Sequence, residues 1–196
     1  MPTPAARDRI LDTASRLFDR YGVRAVGMQQ IIDDCGCGKN TLYRRFASKD
    51  DLVVAYLRRC GDDWQRLFDA AQVSASDPAD QLVELVRAVG ARAVAPGARG
   101  GPLRTTLAEY ADSGHPVHRV AEAHFVRVRT QVRGLAAATG AADPDELADR
   151  LLLILDGLYA NGPAFGEAGA RTAVAFAEDV LRSARPPARA LIRRSC

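Results

Sequence analysis

Residues 28–52 read MQQIIDDCGCGKNTLYRRFASKDDL. Met28, Ile31 and Ile32 recur at helical spacing, which predicts a short helix from about Met28 to Cys35, stopped by Gly36. A second short helix is predicted from about Lys39 to Phe46. Its Leu42 and Phe46 form an i, i+4 apolar pair and leave Asn40, Tyr43 and Arg44 on the opposite side. Ser48 then reads as the N-cap of a longer helix, with Asp50 and Asp51 in a first turn where negative charge meets the positive end of the helix dipole. A two-turn helix can enter a DNA major groove when apolar residues anchor its inner face and its outer face offers donors. Ile31, Ile32, Leu42 and Phe46 are the expected anchors. Lys39, Asn40, Thr41, Tyr43, Arg44 and Arg45 are the expected donors.

Working outward, apolar residues keep recurring at intervals of three and four, and no stretch alternates with period two, so an all-α fold is expected. A first helix runs from about Ala5 to Tyr21, with Ile10, Leu11, Ala14, Leu17, Phe18 and Tyr21 on one face and Gly22 after its end. The helix after Ser48 keeps its spacing to about Ala71. Others are expected over about 79–95, 103–112, 116–139, 144–164 and 167–184, about nine in all. The Gly/Pro-rich PGARGGP, residues 96–102, reads as the most flexible internal loop. The organisation that follows is a three-helix helix-turn-helix domain over 1–48, a helical domain over 49–185 and an Arg/Pro-rich tail over 186–196.

The formal net charge is only +3. It is unevenly spread, because residues 1–59 hold 11 Lys and Arg against 7 Asp and Glu. Both lysines of the chain, Lys39 and Lys49, flank NTLYRRF, so the excess lies where a polyanion would be gripped. No apolar run approaches the ~18 residues of a membrane span, and the N-terminus lacks an apolar signal core; a cytoplasmic protein without membrane partners is expected. There is no phosphate loop, nucleophile elbow, zinc-protease motif or dinucleotide fingerprint, so neither catalytic residues nor a cofactor is expected.

With these residues in view, MQQIIDDCGCGKNTLYRRFASKDDL resembles the signature of TetR-family transcriptional regulators. That signature runs through an Ile-containing helix, a Gly-x-Ser turn, a Thr-Leu-Tyr recognition helix, Phe-x-x-Lys and an acidic-Leu helix entry, and the likeness covers about residues 7–56. It implies that Lys39, Asn40, Thr41, Tyr43 and Arg44 match positions that meet double-stranded DNA, and that Lys49 matches a phosphate-contacting lysine. It also implies a homodimer, a helical ligand-binding and dimerisation domain, and a repressor released from its operator by a small molecule. Three positions depart from the pattern: Gly27 replaces a capping Ser or Thr, Cys37 a turn Val, and Gly38 a turn Ser.

Four cysteines, Cys35, Cys37, Cys60 and Cys196, are too few and too uneven for a secreted disulfide framework, and are expected as reduced thiols. Cys35 and Cys37 supply only two of the four ligands a structural zinc site needs, so no metal is expected. Their place ahead of a helix and Lys39 keeps a thiol-redox-sensing regulator as an alternative. A helical ligand-binding protein that has lost DNA affinity is another, raised by Gly27. His115 and His118 read as loop or surface histidines. In LLLILDGLYANGP, residues 151–163, a helix apolar nearly all round is expected to be covered by its own domain and by a second subunit, and its Asp156 needs a partner, an arginine or a ligand. Expected pocket residues are Trp64, Phe68, Tyr110, His124, Phe125, Asp156 and Tyr159, with Arg104, Thr106 and Glu109 as further polar handles.

Overall fold

A computed structural model describes residues 6–95 and 101–185. Among them every regular element is a helix: α1 (Ala6–Tyr21), α2 (Met28–Cys35), α3 (Lys39–Arg45), α4 (Lys49–Ser74), α5 (Pro78–Ala93), α6 (Pro102–Glu109), α7 (Pro116–Ala138) and α8 (Pro144–Ala184). The expected last pair of helices is present as the two stretches of α8. They are separated at Gly166, whose φ of 57° and ψ of −154° no side-chain-bearing residue adopts without strain. Residues 96–100 of the expected flexible loop, the tail over 186–196 and its Cys196 lie outside the described residues.

Local chemistry accounts for the boundaries. The Ser48 hydroxyl accepts from the Asp51 amide while the Asp51 carboxylate accepts from the Ser48 amide, each at 3.1 Å, a reciprocal cap that starts α4. Asp77, His115 and Asp143 cap α5, α7 and α8, each followed by a proline whose missing N–H costs nothing in a first turn. Gly27 and Gly38 give α2 and α3 no side-chain cap, as their sequence implies.

Two cores follow. The first joins α1, α2 and α3 through Ile10, Phe18, Ile31, Leu42 and Phe46. Leu52, Val53, Tyr56 and Leu57 of α4 close it, and Leu103, Val117 and Ala121 of α6 and α7 pack against it. The second holds Trp64 and Phe68 of α4 against α5, α7 and α8. α4 therefore contributes to both, and each fully buried Leu or Phe adds roughly 1.5–3 kcal/mol.

Two expectations are corrected. Tyr21 lies outside the α1 apolar face at 49% exposure, with the Arg20 guanidinium 5.2 Å from its ring centre. Cys35 and Cys37, expected as reduced thiols, are joined in a disulfide. Gly36 between them adopts a left-handed φ of 62°, which folds the turn back and brings their Cα atoms to 5.3 Å, within bridging range. Cys60 remains a free thiol.

Candidate nucleic-acid interface and adjoining cavity

α3 is seven residues long and is held from beneath. Leu42 is fully buried and Phe46 nearly so, with the Arg7 guanidinium over the Phe46 ring at 5.1 Å. Because a helix turns 100° per residue, burying Leu42 turns Asn40, Tyr43 and Arg44 outward; Lys39 and Arg45, at the two ends of the helix, are exposed as well, and Thr41 is half-buried. Of the sequence-predicted donors, Asn40, Tyr43 and Arg44 thus share the outer face, with Lys39 and Arg45 at its ends and Thr41 at its edge. Tyr43, 43% exposed, is the large apolar group on it, available to lie against a sugar-phosphate backbone.

Lys49 is turned differently. Its Nζ donates to the Arg24 carbonyl at 3.3 Å, and burial pushes its pKa below the usual lysine value, partly opposed by Glu109. The Arg24 amide donates to Glu109 Oε2 at 2.9 Å. The α1–α2 loop is therefore clasped between the start of α4 and the end of α6. His115 Nε2 lies 3.3 Å from Asp50 Oδ2, and a ring nitrogen of His118 lies 2.7 Å from the Tyr110 carbonyl, so both histidines belong to this junction.

The opposite end of α6 borders a cavity of about 50 Å³ between α4, α5, α7 and α8. Arg104 of α6 pairs with Asp156 of α8 and stands over the Phe125 ring at 5.7 Å. Trp64, His124 and Tyr159 form other walls. The Trp64 indole donates to Gln131 at 2.8 Å, so its face, not its N–H, is offered to the cavity. Burial, with the Arg127 charge adding, pushes His124 down to about 4, which leaves the ring neutral near pH 7. Its Nδ1 is buried without a hydrogen-bond partner. Burial likewise pushes the Cys60 thiol up to about 12, making it inert.

Residues 10–56 match the family described as bacterial regulatory proteins, tetR family. A TetR-family transcriptional regulator from Streptomyces coelicolor superimposes with a TM-score of 0.88 and 34% identity, covering 91% of this chain and 95% of that one. The chain belongs to the TetR family. A second TetR-type structure, from Streptomyces avermitilis, is 27% identical with a TM-score of 0.78, covering 92% of this chain and 98% of that one. An uncharacterised HTH-type transcriptional regulator of Mycobacterium tuberculosis is 39% identical over 84 residues, 41% of this chain and 40% of that protein's length.

In this TetR-family chain the seven pocket residues expected from sequence divide. Trp64, His124, Phe125, Asp156 and Tyr159 share the cavity. Phe68 packs into the second core, and Tyr110 sits at the junction, its ring 4.9 Å from that of His115 and 5.8 Å from the Arg24 guanidinium. Of the further handles, Arg104 lines the cavity, Thr106 is buried and Glu109 serves the junction. Cys60 and Arg92 also line the cavity and were missed. Cys60 lies one turn before Trp64 on α4, a spacing that could have found it; Arg92 carries no such signal. Asp156 has an arginine partner, but its side chain is 44% exposed, so it does not lie in the apolar setting expected from its neighbours in sequence.

Proposed function

We propose that this regulator is a homodimeric repressor, released from an inverted-repeat operator by a small molecule. The observation that carries the reading is the double attachment of α6. Arg104 closes the cavity and Glu109, five residues later, holds the loop ahead of α2, so about 7.5 Å of helix separates ligand space from the DNA-binding unit. A ligand larger than the cavity that enters at the half-exposed Arg104–Asp156 pair displaces it, and α6 then cannot keep both attachments unchanged. Release requires the ligand to favour the displaced state.

In this reading residues 1–48 bind DNA and residues 49–185 bind ligand and dimerise. Lys39, Asn40 and Thr41 read bases, Tyr43 and Arg44 hold the backbone, and Lys49 braces the α1–α2 loop beside a phosphate. A second copy covers the open apolar groove of about 760 Å³ along α8, where Leu153, Phe165 and Phe176 are 72%, 65% and 58% exposed. Two α3 helices related by the dyad would enter major grooves about 34–36 Å apart.

The test is fluorescence anisotropy of the full chain against the duplex upstream of its own coding region, at several salt concentrations. Tight, sequence-selective and steeply salt-dependent binding is expected, with Tyr43→Ala losing about tenfold in affinity at unchanged melting temperature. Equal weak binding to a scrambled duplex would contradict the reading.

The Cys35–Cys37 bond favours a second reading, a thiol-sensing regulator. Two thiols would lose two protons and two electrons to an oxidant such as a small disulfide, tightening the turn ahead of α3. Operator affinity identical in reducing and oxidising buffer would remove it.

A further inference from the structure

The cavity wall holds three charged side chains among the described residues, Arg92, Arg104 and Asp156. Asp63, behind Arg92, gives one carboxylate oxygen to Arg92 and the other to Arg66. Asp19, behind Cys60, is engaged by the Tyr56 hydroxyl. Arg127 lies beside His124. Asp156 is therefore the one carboxylate on a wall flanked by arginines, and each guanidinium carries five N–H donors, more than its single carboxylate partner can satisfy.

Uncharged chemistry points the same way. His124, 9% exposed, lines the cavity as a neutral ring that can face a ligand without a charge penalty, while its unpartnered Nδ1 lies toward Gly61 of α4. The remaining surface is aromatic on three sides. At about 50 Å³ the closed space is below the ~150 Å³ of a cavity known to hold one benzene ring. Even a single ring therefore exceeds the present space and needs Arg104 and Asp156 to part.

We propose that the ligand of this cavity is a single-ring aromatic acid, whose carboxylate replaces Asp156 on the Arg104 guanidinium while its ring lies among Trp64, Phe125 and Tyr159. This rests on the effector reading above. A cationic ring would have to take Asp156 from Arg104 while facing Arg92 and Arg127. An anion meets those same arginines favourably, and a planar carboxylate matches the guanidinium fork.

Benzoate, benzamide and benzamidinium present one shape with charges of −1, 0 and +1, and Trp64 is the chain's single tryptophan. Each is titrated into the full-length protein, read by Trp64 emission and by calorimetry. Benzoate is expected to bind about tenfold more tightly than benzamide, as one charge-assisted contact implies, with benzamidinium weakest. Asp156→Asn removes the competing carboxylate and should tighten benzoate several-fold; Arg104→Gln should abolish the preference while benzamide still binds, which shows the variant is folded. Equal binding of the three, or a preference for benzamidinium, would overturn the aromatic-acid assignment and leave the cavity a ligand site. No response to any of them by either readout would overturn the assignment and the ligand reading of the cavity together.

Discussion

At the scale of single residues, His124 makes the clearest pH prediction. In the unfolded chain it titrates near 6.5, whereas in the fold burial first and Arg127 second hold it near 4. As pH falls below about 6.5 the unfolded chain takes up a proton that the folded chain refuses. Stability is therefore undiminished above that range and falls toward pH 4 by up to about 1.4 kcal/mol per pH unit. His124→Gln should flatten this slope, measured as urea midpoints of both proteins between about pH 7 and pH 5. Equal slopes would mean that the imidazole is protonated in place. His124 could be picked out in the sequence as a polar handle for a pocket, but its missing partner could not, because that depends on what α4 brings opposite it. Tyr110 is the converse case: its aromatic character suggested a pocket wall, yet it follows the last residue of α6 and faces Arg24 and His115.

Among the elements, α1 to α3 and the start of α4 were legible to within a residue, since glycine stops, i, i+4 apolar pairs and the Ser48 cap leave little freedom of register, whereas α4 runs three residues past its expected end at Ala71. The Cys35–Cys37 bond was not, because pairing across one residue depends on the backbone conformation of Gly36, which composition does not reveal. α8 is intermediate. Its two stretches were expected, but the bend is carried by one conformation, that of Gly166. Gly166→Ala should cost about 1–3 kcal/mol of stability, read as a lowered melting temperature, because a Cβ is strained at that φ and ψ. Gly134→Ala, on the exposed side of α7, serves as a comparison, since a Cβ there meets nothing within 4 Å. Equal melting temperatures for the two variants would contradict a rigid bend.

For the whole molecule, periodicity gives the helices but not which of them share a wall, so the cavity was only partly readable and Arg92 was missed altogether. The open face of α8 was foreshadowed by LLLILDGLYANGP, which is too apolar for one domain to cover. Placing a charge there by Phe176→Asp should turn a dimer into a monomer in sedimentation while helical circular dichroism persists, and operator affinity should fall with it; a dimer that survives would move the interface elsewhere. In the proposed mechanism the cavity and the DNA-binding face are one coupled device through α6, and coupling is reciprocal. The decisive measurement titrates the upstream duplex into the protein and follows Trp64 emission alongside anisotropy. A saturable change in emission, with the same midpoint as the anisotropy and displaced equally by Tyr43→Ala, is the predicted result. Emission that stays constant while the duplex saturates the protein would contradict the account.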